Sequence, residues 1–126
     1  MKKAIFSTEI SMLRSTMQRL LRRKADTNLT KILRKTHQAD VALIMRGLNQ
    51  FDQTKIFTLC PTAKHKARLL EELDDAIIES VLKFESAKNI SKIFRYLDTN
   101  DQALIANMFD LNKQKDVLSI IEEEDL

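Results

Sequence analysis

One glycine, one proline, one cysteine and no tryptophan occur in 126 residues. Sheets, tight hairpins and phosphate-cradling loops use Gly and Pro repeatedly. With only Gly47 and Pro61 to supply them, β architectures, Rossmann units and P-loops are all but excluded. A lone cysteine, Cys60, rules out an internal disulfide, and two histidines, His37 and His65, cannot hold zinc without carboxylates. The expectation is a reducing compartment and no structural zinc. No uninterrupted apolar run exceeds residues 41–45, far short of the roughly 20 residues a membrane helix needs. Residues 1–6 begin like a signal peptide, but Ser7, Thr8 and Glu9 break the apolar stretch and no small-residue cleavage site follows. That start reads as a cytoplasmic N-terminus.

Hydrophobic residues make up 44% of the chain, enough for a core without staples at this length. The net charge of +3 is unevenly spread. Residues 1–38 carry ten Lys/Arg against Glu9 and Asp26; residues 39–109 nearly balance; residues 110–126 carry six acids against Lys113 and Lys115. Basicity belongs to one end of the chain and acidity to the other.

Periodicity is helical throughout. Ile10, Leu13, Met17, Leu20 and Leu21 recur at three- and four-residue spacing, predicting an amphipathic helix from about Thr8 to Lys24. Asp26 or Thr27 is placed to cap a short second helix carrying Leu29, Ile32 and Leu33, with His37 in the turn that ends it. The chain then repeats. Leu48, Leu73 and Leu97 recur at a near-constant interval, preceded at equal offsets by Ile44/Met45, Leu69/Leu70 and Ile93/Phe94. Ile56/Phe57, Val81/Leu82 and Ile105 form a second series with the same interval. Each unit therefore reads as two short helices joined by a tight turn. Thr62 and Ser86 fall at N-cap positions, Thr99 with Gln102 reads as a capping box, and Pro61 stops a helix ending at Cys60. From Asn112 the pattern restarts with Val117, Leu118, Ile120 and Ile121. Four acids then follow at 122–125, where a helix C-terminus disfavours negative charge; a frayed end, or a natural chain continuing past Leu126, is expected.

His37-x-Ala39-Asp40 opening a repeat, Leu59-Cys60-Pro61 closing a helix and Leu70-Glu71-Glu72-Leu73 ending the next one resemble the N-terminal intracellular domain of MgtE-type magnesium transporters. The resemblance covers roughly residues 25–125; the middle domain of the flagellar rotor protein FliG looks related. It implies an all-α, right-handed superhelix of short hairpins, here residues 25–126; the apolar stripe of the basic helix, residues 1–24, is separately expected to cap it. It further implies CBS domains and a membrane transporter pore as neighbouring partners, a place at the inner face of the membrane, and regulation by magnesium. Magnesium needs oxygen ligands, yet positions expected to hold acids carry Arg68, Asn100 and Leu104, with Asp98 and Asp101 nearby. Weak magnesium binding by the isolated chain is the expectation.

Glu71, Glu72, Asp74 and Asp75 are the densest acids within the repeats and the weak candidates for a metal site. Consecutive helical residues point in different directions, so a solvated helix end is the reading favoured over a metal site. His37 and His65 lie at repeat turns and read as structural, and Cys60 reads as a small buried side chain. Arg14, Arg22, Arg23 and Lys24, with Arg19, Lys31, Arg34 and Lys35, form the basic end. Their reading as solvated charges on a capping helix is weighed against an anionic membrane surface or acidic partner, and then nucleic acid. The scarcity of aromatic residues argues against base stacking. No catalytic motif or cofactor-binding loop occurs. The sequence is read as a non-catalytic, cytoplasmic regulatory or protein-interaction domain; the alternatives are a polyanion-binding helical module and a FliG-like assembly adaptor.

Overall fold

The computed structural model describes residues 2–124, with side chains for residues 8–123. These residues form nine α-helices and no strand: α1 (Lys2–Arg22), α2 (Asp26–Lys35), α3 (Gln38–Arg46), α4 (Gln50–Leu59), α5 (Ala63–Leu70), α6 (Asp75–Leu82), α7 (Ala87–Phe94), α8 (Thr99–Ala106) and α9 (Leu111–Glu124). They group into two compact units, Met1–Pro61 and Thr62–Leu126.

The repeat is visible in the hydrogen bonds that start and stop each helix. First helices of successive hairpins begin at His37, Thr62, Ser86 and Asp110. His37 Nδ1 accepts from the Ala39 N–H (3.1 Å), Thr62 Oγ1 from His65 (3.1 Å), Ser86 Oγ from Asn89 (3.1 Å) and Asp110 Oδ1 from Lys113 (2.8 Å). Second helices begin at Asn49, Asp74 and Asp98; Asn49 Oδ1 accepts from the Asp52 N–H and Asp98 Oδ1 from Asp101, both at 2.8 Å. Such side chains satisfy amide donors that have no partner within the helix. Helix ends match as well. The Leu48, Leu73 and Leu97 amides donate to Met45, Leu70 and Phe94 carbonyls at 3.0, 3.3 and 3.0 Å. All three leucines are buried, as are both residues of each preceding apolar pair.

A glutamine closes the turn in two of the hairpins. Gln53 Nε2 donates to the Met45 and Leu48 carbonyls (2.8 and 3.0 Å), and Gln102 Nε2 to those of Phe94 and Leu97 (2.7 and 3.1 Å). Ile78 stands at the same place in the middle hairpin, one repeat after Gln53 and one before Gln102. Because Gln53 is buried, Gln53→Ala takes the side-chain donor from both carbonyls, and Met45 keeps only its backbone donor, the Leu48 amide. Urea denaturation should show a loss of about 1–3 kcal/mol, the cost of unsatisfied buried polar groups.

Three local expectations are corrected. Thr99 does not cap α8: Asp98 does, and Gln102 is turned to the turn carbonyls instead of reaching back to complete a capping box. Neither Asp26 nor Thr27 caps α2; Ala25 holds that position without a side-chain bond, because the Asp26 carboxylate pairs with Lys55 of α4 at 3.1 Å. Helix α1 begins at Lys2 rather than near Thr8, since residues 2–8 contain no Gly or Pro to stop it.

Within the first unit α1 packs on α2 and α3, and α2 on α4. Met17 is fully buried, while Ile10, Leu13, Leu20 and Leu21 are half-buried. Arg14 lies across the end of α3: a Cβ on Gly47 would stand 3.1 Å from its Cζ. Gly47 has an ordinary negative φ, so it is this close approach, and not backbone freedom, that suits glycine there. Helix α1 ends with the Lys24 amide donating to the Leu21 carbonyl and the Ala25 amide to the Leu20 carbonyl, a Schellman ending whose left-handed position is filled by Lys24 at φ 55°. A side chain there is strained where glycine is not. Lys24→Gly is expected to raise stability by about 1 kcal/mol, read as a higher melting temperature.

In the second unit α5 packs on α7 and α7 on α9. Lys113 of α9 reaches the end of α6, its Nζ donating to the Leu82 and Lys83 carbonyls at 3.1 Å each. A cation at a helix C-terminus offsets the carbonyl dipoles collected there.

Candidate functional site

The acidic candidates of the second unit sit around a turn and do not converge as a set. Glu71 is the C-cap of α5, Glu72 lies in the turn, Asp74 is the N-cap of α6 and Asp75 its first residue. Glu71 and Asp75 do border one cleft of about 190 Å³, opposite Asp101 and Leu104. Burial above all, then the charges of Asp98 and Glu71, hold the Asp101 carboxyl above its usual value. A cation lodged among these acids would act in the opposite sense. The local cation is instead Arg68, whose Nη1 binds Glu71 Oε1 and the Tyr96 carbonyl (3.1 Å), joining α5 to the end of α7. Among the described residues no group of three or more His, Cys, Asp or Glu is arranged to hold a metal ion.

A folded-state site of micromolar affinity, at one hundred times its dissociation constant, would stabilise the chain by about 2.7 kcal/mol. We expect far less. The melting temperature in about 1 mM magnesium chloride should match that in sodium chloride of equal ionic strength, about 3 mM, and calorimetry should show no micromolar isotherm.

The basic candidates separate into two kinds. Arg14 is half-buried over Gly47, with its Nε buried and unpartnered, which makes it part of the α1–α3 packing. Arg22, Arg23 and Lys24 are exposed, as are Arg19, Lys31, Arg34 and Lys35. His65 Nδ1 lies 2.7 Å from Thr62 Oγ1, a hydroxyl–imidazole pair, but that hydroxyl also caps α5. His37 caps α3 and Cys60 is buried at the end of α4.

The second unit also holds an apolar groove of about 480 Å³ between α8 and α9, walled by Ala103, Ala106, Phe109, Leu111, Leu118 and Ile121, with Phe94 also contributing. Sequence patterning did not single it out. The signal was present: Leu118 falls one repeat after Phe94 and two after Leu70. Those two are buried, whereas Leu118 is 57% exposed.

Short helical hairpins repeated along the chain, with an apolar groove between the last two helices, define a helical-repeat class of protein. The chain belongs to the family of the MgtE intracellular N domain, whose family model matches residues 36–126. The match includes every hairpin from α3 onward and leaves α1 and α2 outside it. No curated protein and no solved structure matches significantly. No helix among the described residues is long and apolar enough to cross a membrane.

Proposed function

We propose that this chain is a non-catalytic regulatory module of the magnesium-transporter type, acting on the cytoplasmic side through contacts with other protein domains. CBS domains and a membrane pore are the partners that the resemblance implies. The family match over residues 36–126 carries this reading. The surface chemistry supports it, because the described side chains offer an apolar groove between α8 and α9 that suits a protein contact. Regulation then consists of docking: a helical repeat presents one face to a neighbouring domain, and the contact biases an equilibrium of the transporter.

Loss of such a module should unbalance magnesium in the cell. Deleting the coding region for residues 36–126 in its native host is expected to change total cell magnesium at least about twofold when the external concentration is raised from micromolar to millimolar, the scale of a modest coupling energy. Atomic absorption on washed cells measures it. Cell magnesium indistinguishable from the parent at both concentrations overturns the reading.

The exposed cations at 19, 22, 23 and 24, together with Lys31, Arg34 and Lys35, favour a second reading in which the first unit rests on an anionic membrane surface. Sedimentation with phosphatidylserine vesicles tests it: binding should weaken steeply between 50 and 300 mM salt if charge holds the contact. Binding that salt leaves unchanged, or none at low salt, removes this reading.

A further inference from the structure

Helix α9 carries a face that fits itself. At 100° per residue, Leu111, Lys115, Leu118 and Glu122 fall within about 60° of one another, on the side away from Val117. Val117 is buried, and the four stripe residues are exposed. Leu111, Lys115 and Leu118 border the groove against α8. In the two preceding helices of this stack the same positions are closed: Ala67 and Ser91 stand where α9 has Lys115, and Leu70 and Phe94 where it has Leu118, all of them buried. The stack of α5, α7 and α9 therefore continues to an outward face that is apolar in the middle and charged on either side.

We infer that this face pairs with a second copy of the chain, the two α9 helices running antiparallel about a two-fold axis near Leu118. A two-fold contact requires that if residue i meets j, then j meets i. Placing the axis between residues 118 and 119 sets Lys115 of one copy opposite the partner copy's Glu122 and repeats that opposition on the other side. Leu118 then meets its own counterpart, and the apolar groove beside it receives the flank of the second helix. The charges fix direction: with parallel helices Lys115 would face a lysine and Glu122 a glutamate, at a cost in like-charge repulsion. Affinity comes from Leu118, Leu111 and the groove, since exposed ion pairs contribute little. Two faces of this size lie at the small end of stable interfaces, so the dimer is a weak one. The pairing rests on the geometry of α9 and does not depend on the transport role.

Sedimentation equilibrium of the full chain between about 10 and 500 µM tests the pairing, a range suited to a weak interface. A monomer–dimer equilibrium is expected, abolished by Leu118→Asp. Lys115→Glu and Glu122→Lys should each weaken it about tenfold or more, because symmetry places every substitution in two like-charge oppositions; the double variant K115E/E122K should restore it. Bulk charge makes a different forecast, since K115E adds negative charge to an acidic segment and E122K removes it, so the two single changes would shift association in opposite directions. All these positions are exposed, and circular dichroism with unchanged melting temperatures confirms that the variants fold. A chain that stays monomeric to 500 µM, single changes of opposite sign, or a double variant no better than either single change overturns the inference.

Discussion

Leu70→Ala is expected to cost about 2–5 kcal/mol, and Leu118→Ala, at the same place two repeats later, less than about 0.5 kcal/mol. Both leucines follow their helix start by the same offset, Thr62 for one and Asp110 for the other. What differs is cover. Leu70 is 2% exposed, at the end of α5, which packs on α7; Leu118 is 57% exposed, on α9 beside the open groove. Truncating the first removes buried carbon from water-free packing and leaves a cavity. Truncating the second removes carbon that solvent already touches. Urea denaturation at micromolar protein, below the range in which α9 pairing would matter, separates the two. Equal losses would mean that the hairpin stack does not distinguish these positions and that the repeat register is wrong.

Much of this was legible because repeat proteins write their packing more than once. The near-constant spacing of Leu48, Leu73 and Leu97 marks buried turn positions in the sequence alone, and Thr62 and Ser86 are recognisable as caps from chemistry and place. The two misread caps share one cause, competition for a side chain by another group. Asp26 looks like a cap in isolation, but Lys55, on a helix much further along the chain, takes its carboxylate. Thr99 and Gln102 spell a capping box, yet Gln102 is drawn to the carbonyls of Phe94 and Leu97. Arg14 counted among the solvated cations until α3 supplied Gly47 beneath it. The acidic candidates illustrate the same limit. Neither the approach of Asp101 to the cleft that Glu71 borders nor the bond from Arg68 to the Tyr96 carbonyl follows from spacing.

Removing residues 1–24 should lower stability by more than about 2 kcal/mol, because the fully buried Met17 alone contributes on the order of 1.5–3 kcal/mol, and Leu13, Leu20 and Leu21 add their half-buried surfaces. The deletion also uncovers the faces of α2 and α3 on which α1 rests. Exposed contiguous apolar surface promotes association, and end repeats generally need a covering element, so the truncated chain should aggregate or form oligomers that Leu118→Asp does not dissolve. Neutralising Arg22 and Arg23 to Gln makes the opposite test. Both side chains are exposed, and their loss should change stability by no more than about 0.5 kcal/mol. Arg14 is left out of that pair because its guanidinium packs against Gly47; substituting it alters the α1–α3 contact itself. The membrane-surface reading reverses the pattern: the truncated chain would stay a stable monomer, and the charge variant would lose its hold on anionic vesicles. Thermal unfolding and light scattering of the truncated chain, set beside vesicle sedimentation of the charge variant, therefore weigh packing against charge as the reason this basic helix is there. A truncated chain as stable and as monomeric as the parent would remove the structural role of α1.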